Sequence, residues 1–143
     1  MILLDTHIWV WLADESDRLT EEHKRIIEHH RGNGLGVSVI SCWEVAKLVE
    51  YGRLKLSCPV ADWIEAALSL PSIRLLELTP RIAVASTQLP GEFHRDPADQ
   101  IIVATARVYD MELLTIDERI LRYGHVRTVR CPTKHCRQPK PRR

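Results

Sequence analysis

The chain has 143 residues, 45% of them hydrophobic and 27% charged, the size and make-up of one globular domain with a genuine core. No window is long and apolar enough to cross a bilayer, the amino terminus does not read as a basic leader with a small-residue cleavage site, and the four cysteines follow no disulfide framework, so a cytoplasmic protein is expected rather than a membrane or secreted one. The net charge of +1 is uneven: taking Lys134, Arg137, Lys140, Arg142 and Arg143 from the 20 basic residues leaves 15 against 19 acidic ones.

Residues 1–5 read as a short buried strand that ends in Asp5. Residues 6–13 are apolar at most positions and begin a helix; another runs over 20–31, where Gly32-Asn33-Gly34 ends it. Residues 35–40 form the second strand. Ser41 opens a helix that runs to Tyr51, with Gly52 suited to the position after the C-cap. Residues 59–70 carry Val60, Trp63, Ile64, Ala67 and Leu68 at helical spacing. Residues 73–78 are the third strand. Thr79-Pro80 then gives an N-cap with proline at the first helical position, starting a helix to about Gln88.

Residues 90–95 form a loop, and Asp96-Pro97 repeats the cap-plus-proline start for a helix through Ile101, Ile102, Ala104, Thr105 and Val108. Residues 113–116 are the fourth strand, 118–123 a short helix and 126–129 a fifth, edge strand. Strand alternating with helix is the mark of an α/β domain built on a parallel sheet. Residues 1–130 form that domain, and 131–143 a basic, Pro-containing flexible tail too polar to bury a core. Such a tail either touches phosphates or a partner, or is simply solvated. Cys131, His135 and Cys136 in it match zinc clips poorly in spacing.

Four separated acids share one kind of position. Asp5 and Asp117 each close an aliphatic strand, whereas Glu44 and Asp99 lie in the first turns of the helices opening at Ser41 and Asp96. In a parallel sheet the strand carboxyl ends share one rim, where open α/β folds bind ligands. Two carboxylates about 4 Å apart repel by roughly 4 kcal/mol at an effective dielectric of 20. A divalent cation makes such a cluster favourable, and oxygen ligands suit Mg²⁺ or Mn²⁺. This points to metal-dependent hydrolysis, of phosphodiesters first of all.

Each acid has a structural rival. Asp5, Asp96 and Asp117 are all placed to cap helices, and Ser41-Cys42-Trp43-Glu44 spells a capping box. Of the pair Asp96 and Asp99, Asp96 takes the structural role and Asp99 the ligand role, although Asp96 stays close enough to count as a further ligand. Thr6 and Thr115, each beside one of the acids, and Arg95, flanking the start at Asp96, are candidates to support the site or meet a phosphate. His7 and His94 lie near acids in the sequence and could carry protons, though a core or surface role accounts for them equally simply. A Walker A loop, a dinucleotide fingerprint and a nucleophile elbow are all absent from the sequence. A phosphoacceptor receiver module would need a lysine at the end of a late strand, and none stands there.

These residues resemble those of the PIN-domain family, specifically the VapC-type toxins of prokaryotic type II toxin–antitoxin pairs. The matching segments are Leu3-Leu4-Asp5-Thr6-His7, Ser41 to Lys47, Asp96-Pro97-Ala98-Asp99-Gln100 with the helix that follows, and Leu114-Thr115-Ile116-Asp117. Gly52-Arg53-Leu54-Lys55-Leu56 also resembles the loop after the family's glutamate helix. The resemblance implies a three-layer sandwich with a parallel sheet of four to five strands, and Mg²⁺- or Mn²⁺-dependent endoribonuclease activity through metal-activated water. It implies metal binding and catalysis by Asp5, Glu44, Asp99 and Asp117, an RNA substrate, a cognate antitoxin protein and a homodimer. Gln100 stands where many relatives carry arginine. The alternative from another class is a catalytically silent PIN-like module that binds RNA or a partner.

Overall fold

A computed structural model describes residues 1–129 of the chain. The tail and its Cys131, His135 and Cys136 lie outside the described residues. Strand β1 (Ile2–Leu4) leads through helix α1 (Thr6–Ala13) and helix α2 (Glu21–His30) to strand β2 (Leu35–Ser38). Helices α3 (Val39–Glu50) and α4 (Val60–Leu68), strand β3 (Ile73–Leu76), and helices α5 (Pro80–Ser86) and α6 (Pro97–Val108) follow. Strand β4 (Glu112–Leu114) and the short helix α7 (Glu118–Leu121) complete the order. No helix of the described residues is long and apolar enough to cross a membrane.

The sheet has the order β3-β2-β1-β4, with all pairs parallel. In register, Ile2 stands opposite both Leu35 and Glu112. Strands buried on both faces read as unbroken aliphatic runs, and Ile2, Leu3 and Leu4 are all buried. Their alternation divides the core. Ile2 and Leu4 join Trp9, Leu35, Val37, Val45 and Trp63 on one face, whereas Leu3 joins Ile102, Val103, Leu113 and Ile120 on the other. Each such side chain contributes about 2 kcal/mol by leaving water. Gly36 in β2 sits in a tight place, where a Cβ would lie 3.0 Å from the Leu76 side chain and 3.2 Å from that of Met111.

The chain builds β2 and β3 on one side of β1, then crosses back to set β4 on the other. This reversal is a topological switch point, and the crevice beyond the strand carboxyl ends there is the usual ligand position. Asp5 and Asp117 leave β1 and β4 on that side.

Several elements differ from the sequence expectation. The third helix starts at Val39 rather than Ser41: the Ser38 hydroxyl caps it by accepting from the Ile40 amide at 3.1 Å. Val39 and Ile40, whose β-branched side chains favour a strand, form its first turn instead. The capping box of Ser41 and Glu44 therefore does not form, and Glu44 lies in the second turn. The expected fifth strand is only an isolated bridge between Leu113 and Thr128, held by Leu113 N–H to the Arg127 carbonyl and Val129 N–H to the Leu113 carbonyl. Among the described residues the sheet thus has four strands. The starts at Thr79-Pro80 and Asp96-Pro97 form as expected, and Gly52, at φ +73°, follows the α3 C-cap Tyr51.

Candidate metal centre

Asp5 ends β1 and caps α1. Its Oδ1 accepts the Thr6 amide at 2.8 Å, and its Oδ2 accepts the Thr115 hydroxyl at 2.5 Å. The Thr115 oxygen in turn accepts the Asp117 amide at 3.0 Å, so the ends of β1 and β4 are tied through one hydroxyl. Asp5 is only 7% exposed. Burial raises its carboxyl above the ordinary range against the pull of both hydrogen bonds.

Glu44 reaches the same place from α3. Its Oε1 accepts the Thr6 hydroxyl at 2.6 Å, and because Thr6 spends its proton there, the Ser41 hydroxyl 2.8 Å away donates to Thr6. Glu44 is raised by burial, with Asp5 and Asp96 adding repulsion. Ser41, expected to cap a helix, is fully buried and serves this relay instead.

Asp96 caps α6, its Oδ1 accepting the Ala98 and Asp99 amides at 2.9 and 3.3 Å. Asp99 projects from the first turn of α6. Its carboxyl is pushed up to about 8, first by burial and then by Asp5, Asp96, Glu44 and Asp117 in turn. Asp117 caps α7 through the Arg119 amide at 2.8 Å. Burial acts against it too, but the Arg119 hydrogen bonds and charge hold it below the ordinary value.

One cleft of about 720 Å³ takes in Asp5, Glu44, Asp96, Asp99 and Asp117. Ligand atoms of Glu44, Asp96 and Asp99 lie within 4.8 Å of one another, as do those of His94, Asp99 and Asp117. Asp99 belongs to both triads. All four acids singled out in the sequence therefore meet, with Asp96 beside them. Thr6 and Thr115 hold two of the carboxylates. Arg95 is exposed, with no hydrogen bond or ion pair to the described residues, and Gln100 ties α6 to the preceding loop by donating to the His94 carbonyl at 3.1 Å.

Two groups here exceed what the sequence reading gave them. Arg119 places Nη2 3.0 Å from Asp117 Oδ2 and 3.5 Å from Asp99 Oδ2. The residue carries no local mark beyond standing two places after Asp117. His94 Nδ1 accepts the Asp96 amide at 3.3 Å, which leaves the ring proton on Nε2, 3.0 Å from Asp99 Oδ2. That buried nitrogen lies off the hydrogen-bond direction and has no hydrogen-bond partner. Burial and the nearby Arg119 lower the His94 pKa, so the imidazole is neutral near pH 7. Arg18 and Arg53 also line the cleft.

A four-stranded parallel sheet with acids gathered at its switch point is the architecture of a known class. The PIN domain family pattern matches residues 2–126, and the chain belongs to this family. It is 36% identical over 128 residues to Ribonuclease VapC22 of Mycobacterium tuberculosis, a span covering 90% of this chain and 95% of that protein. A toxin–antitoxin complex from Klebsiella pneumoniae superimposes at a TM-score of 0.61 with 23% identity, covering 90% of this chain and 97% of that chain. Mycobacterium tuberculosis VapC20, a sarcin–ricin loop cleaving toxin, gives a TM-score of 0.63 with 17% identity, covering 88% and 97%. At these identities the two structures speak for the fold alone.

Proposed function

We propose that the chain is an endoribonuclease that hydrolyses RNA phosphodiester bonds in its acidic cleft with Mg²⁺ or Mn²⁺, and that it is the toxin of a toxin–antitoxin pair. The 36% identity with Ribonuclease VapC22 over a span covering 90% of the chain supports the ribonuclease reading. The observation that carries the site is that Asp5, Glu44, Asp96, Asp99 and Asp117 line one cleft, where burial first and the four neighbouring acids next push the Asp99 carboxyl up to about 8. A fold keeps so costly an arrangement where a cation is to be bound.

The donors fit a hard divalent ion, being carboxylate oxygens with one imidazole at the edge. Asp5, Glu44, Asp99 and Asp117 would hold it, with Asp96 and His94 within reach. When bound, the cation supplies charge compensation at the attacked phosphate and acidifies a water molecule. The rest falls to the chain. Thr115 and the Thr6 amide fix both oxygens of Asp5, and the Thr6 hydroxyl fixes one oxygen of Glu44. Asp99 carries a proton near neutral pH and must release it for ligation. Arg18, Arg53 and Arg119 offset the acids so that a polyanion can approach.

The partners that follow from this reading are an RNA substrate, a cognate antitoxin protein and a second copy of the chain. The test is incubation of purified protein with total cellular RNA and Mg²⁺ or Mn²⁺, comparing wild type with Asp5→Asn. Discrete new RNA ends with wild type alone support the reading. Equal cutting by both proteins rejects the site, and tight Mn²⁺ binding without any cutting makes the chain a silent binding module.

A further inference from the structure

A second cavity of about 420 Å³ opens on the far side of Arg119, lined by Phe93, His94, Arg122, Tyr123 and His125. We propose that it is a nucleotide subsite: an unpaired RNA base next to the scissile phosphate stacks on His125, and the adjoining phosphate meets Arg122. The proposal rests on the nuclease reading and deepens it.

The first support is continuity. Arg119 lines both cavities, and His94, which lines the second, has Nε2 3.0 Å from Asp99. An RNA strand with one phosphate at the acids can therefore extend a neighbouring nucleotide into this opening. The volume lies within the roughly 300–1,000 Å³ of small-ligand sites.

The second is chemistry. His94, Phe93, Tyr123 and His125 form a ladder of rings, with successive centroids 4.3, 4.7 and 5.4 Å apart. Tyr123 is buried and Phe93 half-buried, whereas His125 is exposed, so His125 is the rung available to a base. The platform is firmly backed. The Tyr123 hydroxyl donates to the Pro90 carbonyl, and Arg107 donates to the His125 carbonyl. Gly91, at φ +65°, comes so close that a Cβ would sit 3.3 Å from His125 Nε2.

The third is charge. The acids that attract a cation repel RNA, so the strand must be held by cations beside them. Arg119 and Arg122 provide two, and their side chains are 57% and 78% exposed. Among the described residues Glu92 is the one acid lining this cavity, and Glu118 pairs loosely with Arg122 at 3.8 Å. Proteins that hold single-stranded nucleic acid combine such cationic tracks with aromatic faces, and stacking contributes about 1–3 kcal/mol per base. A duplex cannot offer a splayed base, so the ligand is a single-stranded loop or end.

The experiment uses full-length Asp5→Asn protein, so that bound RNA is not cut, with Mn²⁺ and fluorescein-labelled 15-mers of oligo(A), oligo(C), oligo(U) and one mixed sequence. Anisotropy reads RNA affinity, and Mn²⁺ titration of otherwise wild-type variants reads the metal site separately. His125→Ala is expected to weaken the best-bound oligomer about tenfold, and His125→Phe to restore most of the loss. Arg122→Gln should reduce the salt dependence by about one charge, and Mn²⁺ affinity should be unchanged in all three. If His125→Ala binds RNA within twofold of its parent, the subsite is wrong and the nuclease reading stands. If the parent binds none of the oligomers and wild type cuts no RNA, both readings fall.

Discussion

Loading the cleft with Mn²⁺ should expel a proton from Asp99, and the amount follows from the structure. The carboxyl stands at about 8 because it is buried and faces Asp5, Asp96, Glu44 and Asp117. At pH 7 about nine molecules in ten therefore carry the proton, at pH 8 about half, and at pH 9 about one in ten. Ligation requires the carboxylate, so binding at pH 7 releases about 0.9 proton from this residue alone. Apparent Mn²⁺ affinity then falls about tenfold for each pH unit below 8. Calorimetric titration at pH 7 in two buffers of unequal ionisation enthalpy measures the release directly. Asp99→Asn should lose the buffer-dependent part along with much of the affinity. Identical heats in both buffers, with binding intact, would show that Asp99 is ionised before the metal arrives or never touches it.

Metal-free protein should become less stable as pH rises from about 5 to 8. The folded Asp99, at about 8 against 3.8, binds more protons than the unfolded chain in that window, so stability falls by about 1.4 kcal/mol per pH unit. Urea denaturation in EDTA checks the slope, which Asp99→Asn should flatten while raising stability at neutral pH. Thr6→Val keeps the shape of the side chain but deprives Glu44 of its donor and Ser41 of its acceptor. Mn²⁺ affinity should drop about ten- to a hundredfold, and denaturation should show a loss of about 1–3 kcal/mol. Arg119→Ala removes the guanidinium that competes for Asp99 and Asp117. Because the guanidinium is 57% exposed, the interaction is worth about 0.2–1 kcal/mol, so Mn²⁺ titration should show affinity rising about 1.4- to 5-fold.

The parts of the fold legible in the sequence are those with a strong local cause. Thr79-Pro80 and Asp96-Pro97 start helices because an oxygen cap and a fixed φ act within three residues. Asp5 stands out because an acid directly after buried aliphatics is costly anywhere, and Asp117 because it follows an aliphatic run, although β4 ends at Leu114 and Ile116 is exposed. Where tertiary contacts decide, local pattern misleads. Ser41 and Glu44 have capping-box spacing, yet the Thr6 hydroxyl, 35 and 38 residues away, takes both side chains. Val126 to Val129 has strand composition but meets β4 at only one bridge. Arg119 carries no sequence signal because its role is a distance to Asp99, on another helix.

Capping and cation binding, which compete as explanations of each acid in the sequence, are complementary in the folded chain. Asp5, Asp96 and Asp117 each give Oδ1 to backbone amides at a helix start. That leaves Oδ2 free of the cap and directs it from a rigid element, close to the positive end of a helix dipole. The caps thus place three carboxylates with little torsional freedom, and the amides offset part of their mutual repulsion. Glu44 and Asp99 have no cap to make. Both are raised, Asp99 to about 8, first by burial and then by neighbouring acids, and Asp5 is raised too, because burial there outweighs its cap. Burial and mutual repulsion thus hold these carboxyls toward the protonated form, and a divalent cation bound there would relieve what the backbone does not.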